Sequence, residues 1–297
     1  MPPVQRLSTS ITGLLCGLIA VALFSGFTLV SRIGLTSLLK PWDLAALRFG
    51  IGGLLLLPVL VHHGLSKVAP RDALALAFFG GLGFAFCAYV GFALAPASHG
   101  AVLLHGTLPL STFILARTTR ARSAGPGMTG LLIIALGIVT MAGESAARTT
   151  ALQLVGDGAL LLASFSWSAY GLLARRIGLP PAHSASIVAV LSMSAYLPVF
   201  LVVMPRGGLF VVGWREVLLQ AVFQGFLVGV ASIFIYSKAL ALLGPARTSL
   251  LTAAVPCVTT LAATLLLRES LSSVALFGVA LVTVGMIVSL KASSGRS

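Results

Sequence analysis

The sequence predicts an all-α polytopic membrane protein: ten transmembrane helices in a 5+5 inverted-topology repeat, with both termini cytoplasmic. Three observations carry this. Of the 297 residues 58% are hydrophobic and 8% charged, and mean hydropathy is +1.08. A soluble domain carries roughly 25% charge, so the solvent of this chain is lipid. Second, the apolar residues fall into about ten stretches, each near the ~20 residues that cross a bilayer. Third, one pattern occurs twice. Between Gly244 and Gly285 an apolar segment carries Pro256 near its middle, then an Arg268-Glu269 break, then a segment with Gly278 and Gly285 one heptad apart. Between Ala97 and Gly137 the same order recurs as Pro109, Arg120-Ala121-Arg122, Gly130 and Gly137.

The predicted spans follow in order. The first covers about residues 11–31 and is closed by Arg32. The second, about 43–61, is entered through Pro41-Trp42, with Trp42 at the interface and Asp43 able to cap the helix. The third ends near Leu94 and carries Gly80, Gly81 and Gly83, which let helices approach closely. The fourth covers about 97–116 and the fifth about 127–143. A polar connection from Glu144 to Leu154 joins the halves, so the repeats divide as residues 1–146 and 147–297. The sixth span, about 154–174, stops at Arg175-Arg176, and the seventh, about 182–204, follows Pro180-Pro181. The eighth covers about 217–243; the ninth lies between Arg247 and Arg268, the tenth between Glu269 and Lys291.

With the N-terminus inside, the loop cations divide about eleven to six in favour of the cytoplasm. Five spans per half is odd, so the second half enters the membrane from the opposite side, as in many secondary transporters. The net charge of +13 is spread over loops with no aromatic-studded patch, which speaks for membrane anchoring and against nucleic acid. The three cysteines lie in apolar segments with no CxxC, so neither a disulfide framework nor a metal site is expected.

The run LLGPARTSLLTAAVPCVTTLAATLLLRESLSSVALFGVALVTVGMIV resembles the C-terminal signature of EamA-type permeases of the drug/metabolite transporter superfamily, through Ala246, Pro256, Glu269, Gly278 and Gly285. PWDLAALRFGIGGLLL is similar to that family's second span, whose arginine is Arg48. The resemblance covers about residues 11–290 and implies ten spans, an inverted repeat and export or exchange of small metabolites across a bacterial inner membrane. One departure stands out: the family usually has a glutamate after the fourth span, where this chain has Arg120-Ala121-Arg122.

Candidate site residues follow from the kinks. Pro109 and Pro256 lack the N–H that the carbonyls of His105 and Thr252 would accept. Both prolines fall near the bilayer middle, where freed carbonyls line a cavity or merely shape packing. His105 is expected to be the one titratable side chain deep in the membrane, binding a substrate carboxylate, relaying a proton, or bonded neutral to a neighbouring helix. Trp167 and Tyr170, one turn apart, join Phe84, Tyr89, Gln224 and Tyr236 as an aromatic cavity with a few polar groups, or as ordinary packing. Arg48 lies about 7 Å along its helix from Asp43 and can snorkel outward; Lys238 can do the same. With Glu269 these are gating or anchoring groups. Gly278 and Gly285 either face a second copy or pack within a monomer, the arrangement expected here.

Function is expected to be secondary transport of small neutral, zwitterionic or anionic metabolites such as amino acids, by alternating access at a midplane site. A cation/proton antiporter is disfavoured, because spans one to five hold no carboxylate except Asp43 at an end and Asp157 lies near an outer end. A membrane scaffold or sensor is the alternative. A lipid-modifying enzyme is disfavoured by the absence of HExxH, DDxxD or an acidic pair; no catalytic residue, metal or cofactor is expected.

Overall fold

The computed structural model describes residues 3–65, 68–118, 127–148, 151–203 and 207–294. The Arg120-Ala121-Arg122 break, Lys67 and Arg206 lie outside them, as do the side chains of Glu144 and Ala246. Every regular element among the described residues is helical. In the first half they are α1 (Pro3–Thr36), α2 (Pro41–His63), α3 (Pro70–Leu94), α4 (Ala97–Arg117) and α5 (Met128–Arg148). In the second half they are α6 (Ala151–Ile177), α7 (Pro181–Val203), α8 (Trp214–Leu243), α9 (Pro245–Thr252 and Val255–Leu266) and α10 (Ser273–Ser294). A short helix, Gly207–Val211, precedes α8.

Proline opens α2, α3 and α7, where its missing N–H has no helical partner to lose. At the start of α2 the Asp43 carboxylate also accepts the Lys40 N–H at 2.9 Å. Among the described residues six helices are long and apolar enough to cross a membrane: α1 from Ile11, α2, α3, α4, α7 and α8. The apolar stretches of α5 (Met128–Met141), α9 (Val255–Leu266) and α10 (Ser273–Ser289) are shorter. Helix α6 has the length, at 27 residues, but carries Asp157, Ser164, Ser166 and Ser168 on its course. Three of these four are buried, which explains why α6 shows less apolar character than a span facing lipid on all sides.

The helix pairings repeat between halves. Helix α1 packs on α8 as α6 packs on α3, α9 on α1 as α4 on α6, and α2 on α8 as α7 on α3; α2 meets α7, α4 meets α9 and α5 meets α10. Exchanging each helix for the one five places on leaves this pattern unchanged. The third helix of each half also contains a widened, π-helical stretch, Phe78–Leu82 in α3 and Ala221–Ala231 in α8.

The crossing of α5 and α10 is made by glycine. A Cβ on Gly130 would lie 2.6 Å from the Gly285 carbonyl oxygen, and one on Gly137 would lie 3.0 Å from that of Gly278. The two heptad pairs therefore face each other within one chain, running antiparallel. Around this frame the core is aromatic, with Phe27, Phe49, Phe84, Tyr89 and Phe92 buried. Leu54, Val61, Leu132, Val202 and Leu265 stand exposed on the outside, as a lipid-facing surface requires.

Candidate substrate site

Arg48 is the centre of the polar interior. Helix α2 aims its guanidinium inward, with Cζ 5.3 Å from the Phe27 ring centre and 5.6 Å from that of Phe84. The expected outward snorkelling does not occur. Two aromatic faces, from α1 and α3, attract the cation more strongly here than distance along the helix suggests. Its Nη1 atom is buried with no hydrogen-bond partner, and among the described residues no carboxylate pairs with it. The Arg48 charge also acts on Tyr89.

From Tyr89 a buried chain of hydrogen bonds crosses three helices. The Tyr89 hydroxyl donates to Gln224 Oε1 at 3.2 Å. The Gln224 amide donates to Ser31 Oγ at 2.9 Å and to Gln220 Oε1 at 3.2 Å. Gln220 donates in turn to the Val30 carbonyl at 2.7 Å. Gln224 lies inside the widened stretch of α8, so the local backbone sets the direction of this side chain.

Aromatic contacts extend the site to α6. Phe84 touches Trp167 at 4.8 Å between ring centres, and Trp167 touches Tyr170 at 5.1 Å. The Tyr170 hydroxyl is 2.8 Å from Ser184 Oγ on α7. Thus Arg48, Tyr89, Gln224, Trp167 and Tyr170 form one continuous group through Phe27 and Phe84. One turn along α1 from Phe27, Phe24 stacks on His105 at 6.3 Å and meets Tyr236 at 5.8 Å. His105 is partly exposed with Nδ1 buried and unbonded.

The prolines do not bend continuous helices. In α4 the turns widen over Gly100–Gly106, break at Thr107, and restart at Leu108 with Pro109 in the new first turn. In α9 the helix stops at Thr252 and restarts at Val255 with Pro256 in the first turn. The physical reason is that a proline N–H is costless to lose at a helix start and costly inside one. Thr107 and Ser111 use the break to reach α6: Thr107 Oγ1 donates to Ser164 Oγ at 2.7 Å, and Ser111 Oγ is 3.0 Å from it.

Glu269 and Lys238 lie away from this group. Helix α9 ends with Arg268 in the left-handed region at φ 54° and the Glu269 N–H bonding back to the Ala263 carbonyl at 3.4 Å. That turn directs Glu269 to the start of α4, where Oε2 accepts the Ala97 N–H at 2.9 Å and Oε1 accepts from Arg32 Nε at 3.2 Å. Arg32 Nη1 also donates to the Phe92 and Ala93 carbonyls at 2.8 and 3.1 Å. One carboxylate so ties the ends of α1, α3, α4 and α9. Lys238 is exposed on α8.

A family model for EamA-like transporters matches residues 11–143 and again residues 154–291. The chain belongs to the EamA-like transporter family. It is therefore an integral, multi-pass membrane protein of a transporter family, working in a bilayer on small molecules. A solved crystal structure, described only as that of a protein, matches this EamA-like chain at a TM-score of 0.62 and 22% identity. The match covers 94% of this chain and 97% of the other, and the likeness shows the fold. No curated protein matches the sequence.

Sequence reasoning named Tyr89, Gln224, Trp167, Tyr170 and Arg48, and missed what joins them. Phe24 and Phe27 are two apolar residues among many in α1, and Ser31 and Gln220 show no motif. Asp157, expected near an outer end, pairs with His99 at the start of α4. The two are buried, with Nδ1 2.8 Å from Oδ1.

Proposed function

We propose that this EamA-like protein is a secondary transporter, an exporter or exchanger of small neutral, zwitterionic or anionic metabolites such as amino acids. The carrying observation is Arg48, held between Phe27 and Phe84 beside the Tyr89–Gln224 chain with Nη1 unbonded and no carboxylate beside it. A substrate carboxylate supplies the missing acceptor, and a charge-assisted bond of that kind is worth about twice a neutral one. Trp167, Tyr170 and Phe84 pack its apolar part, while His105 and Tyr236 bound the far side across Phe24.

In this reading the chain crosses a bacterial inner membrane ten times, as repeats 1–146 and 147–297 of opposite topology with both termini in the cytoplasm. The exchange symmetry of the helix pairings supports the repeat. Alternating access then moves one repeat against the other around the site, with the α4 and α9 breaks at Pro109 and Pro256 as its two walls. The protein acts as a monomer, since the glycine pairs that suited a dimer face are used between α5 and α10. It has no catalytic group, cofactor, metal or nucleic-acid partner.

Counterflow into proteoliposomes tests this. Exchange is expected for one or more amino acids or small carboxylates, lost in Arg48→Gln at unchanged expression. A protein that exchanged only organic cations, or no metabolite in a broad screen, would overturn the proposal.

A further inference from the structure

His99 and Asp157 form the one buried histidine–carboxylate pair among the described residues, with both residues about one-twentieth exposed. They join α4 to α6. His99 Nδ1 is 2.8 Å from Asp157 Oδ1, within hydrogen-bonding distance. Asp157 Oδ2 is also buried and has no hydrogen-bond partner. A buried carboxylate oxygen without a donor is costly, and the cost falls when a proton occupies it. Burial of the pair is tight, because a Cβ on Gly156 would already lie 2.8 Å from Leu94 and 3.1 Å from the Ala95 nitrogen.

The position connects this pair to the break in α4. His99 directly precedes the widened stretch Gly100–Gly106, which contains His105 and ends at the Thr107 break. Helix α4 begins at Ala97, whose N–H is held by Glu269 and through it by Arg32. Among the described residues, Arg71 on α3 and Tyr170 and Arg175 on α6 are further charged or titratable groups on the elements packed here, Tyr170 being bonded to Ser184. Cys87 and Tyr89 lie on α3, and His105 and Arg117 lie further along α4. Asp72 and Arg176 pair at the far end of α3 and α6, at 2.8 Å. Arg32 and Glu269 already satisfy each other, so they do not neutralise Asp157.

We propose that His99–Asp157 is the site at which this protein takes up and releases a coupling proton. The step is a simple one. With His99 neutral and Asp157 ionised the pair carries one negative charge; one proton from water bonds to Asp157 Oδ2, and the pair becomes neutral. Its release on the opposite side of the membrane restores the starting charge. Only the two charge states differ in the demand they place on the surrounding helices, so each favours a different packing of α4 on α6. Substrate and proton then bias one equilibrium from different places, the substrate at Arg48 and the proton at Asp157.

This rests on the transporter reading, and the tests separate the two. In proteoliposomes, a pH gradient of one sign is expected to drive substrate accumulation in the wild type. In Asp157→Asn that driven component is expected to be lost, measured as its ratio to counterflow in the same vesicles. Wild-type accumulation indifferent to gradients of either sign, or full drive in Asp157→Asn, overturns the proton site while leaving the transporter reading standing. Infrared difference spectroscopy of the purified protein across a pH series needs no transport. A protonated-carboxyl band that appears on acidification and is missing in Asp157→Asn is expected. Its absence from the wild type overturns the proposal even if no substrate is found. Asp157→Glu, which keeps the carboxyl, is expected to retain the band.

Discussion

Gly130 and Gly285 meet backbone to backbone, so that a Cβ on Gly285 would lie 2.8 Å from the Gly130 carbonyl oxygen. The nearest side chain is that of Ile134, whose Cγ1 would lie 2.8 Å from the same Cβ. The contact is one that small residues alone permit in lipid, where close van der Waals approach replaces the hydrophobic effect as the force between helices.

Substituting Gly285→Ala or Gly130→Ala is therefore expected to lower stability in detergent by about 1–3 kcal/mol, the usual penalty for overpacking. Gly171 in α6 is the control, since a Cβ there meets nothing within 4 Å. Gly171→Ala is expected to be neutral or to stabilise by up to about 1 kcal/mol, because glycine loses the most backbone freedom in a helix. Thermal unfolding of the three variants decides it, and equal shifts would contradict the glycine crossing.

Arg48→Lys is not expected to rescue Arg48→Gln fully. A lysine keeps the charge but loses the planar fork and the stacking between Phe27 and Phe84. Loss of a charged hydrogen bond, at about 1.5–3 kcal/mol, predicts roughly ten- to a hundredfold weaker half-saturation for a carboxylate substrate. Concentration dependence of counterflow measures this. Phe27→Leu is expected to weaken binding by a smaller factor, near 1 kcal/mol or about fivefold.

Gln224→Leu removes the acceptor of Tyr89 and the donor to Ser31 and Gln220 at once. Leaving buried partners unsatisfied costs about 1–3 kcal/mol for each exposed deficit. Tyr89→Phe in that background is expected to cost less than it does in the wild type, because its partner is already gone. A double-mutant cycle with additive effects would show that the two side chains do not communicate.

Glu269→Gln is expected to destabilise by about 1–3 kcal/mol, through the Arg32 ion pair and the N–H of Ala97 together. Because Arg32 and Glu269 are each nearly one-fifth exposed, the pair is partly screened and the lower part of that range applies. Arg32→Gln combined with Glu269→Gln is expected to be milder than the sum of the two. Melting temperatures of the four proteins give the coupling.

His105→Gln keeps a polar side chain of similar reach but cannot carry charge. If His105 lines the site beside Phe24 and Tyr236, transport rate or its pH dependence changes. Unaltered rate and pH dependence in both His105→Gln and His105→Ala would place His105 outside it.

Much of the frame was legible in the sequence because it is one-dimensional. Segment length, proline placement and the heptad spacing of Gly278 and Gly285 are all distances along the chain. The chemistry depended on angles and on pairs far apart. His99 and Asp157 are 58 residues apart, and Tyr89 and Gln224 135. Arg48 was misjudged for the same reason: its depth could be counted from Asp43, but the direction of its side chain is set by rings on α1 and α3. The widened turns of α3, α4 and α8 have no compositional signal at all, yet one of them orients Gln224 and another leads to His105. The prolines were located correctly along the chain, and only their effect differed, because the helix stops before each of them.

The matching contacts of the two halves have a consequence for how far one can stand in for the other. Aligning Phe92-Ala93-Leu94 with Lys238-Ala239-Leu240 places Gln224 opposite Phe78 and Tyr89 opposite Ile235, while the proline alignment places His105 opposite Thr252. A chain assembled from two first repeats would keep the crossings and offer phenylalanine where Tyr89 needs an amide. One assembled from two second repeats would offer isoleucine where Gln224 needs a hydroxyl. The halves match in how their helices pair and differ in the polar residues they bring to the interior, so each supplies a partner that the other lacks.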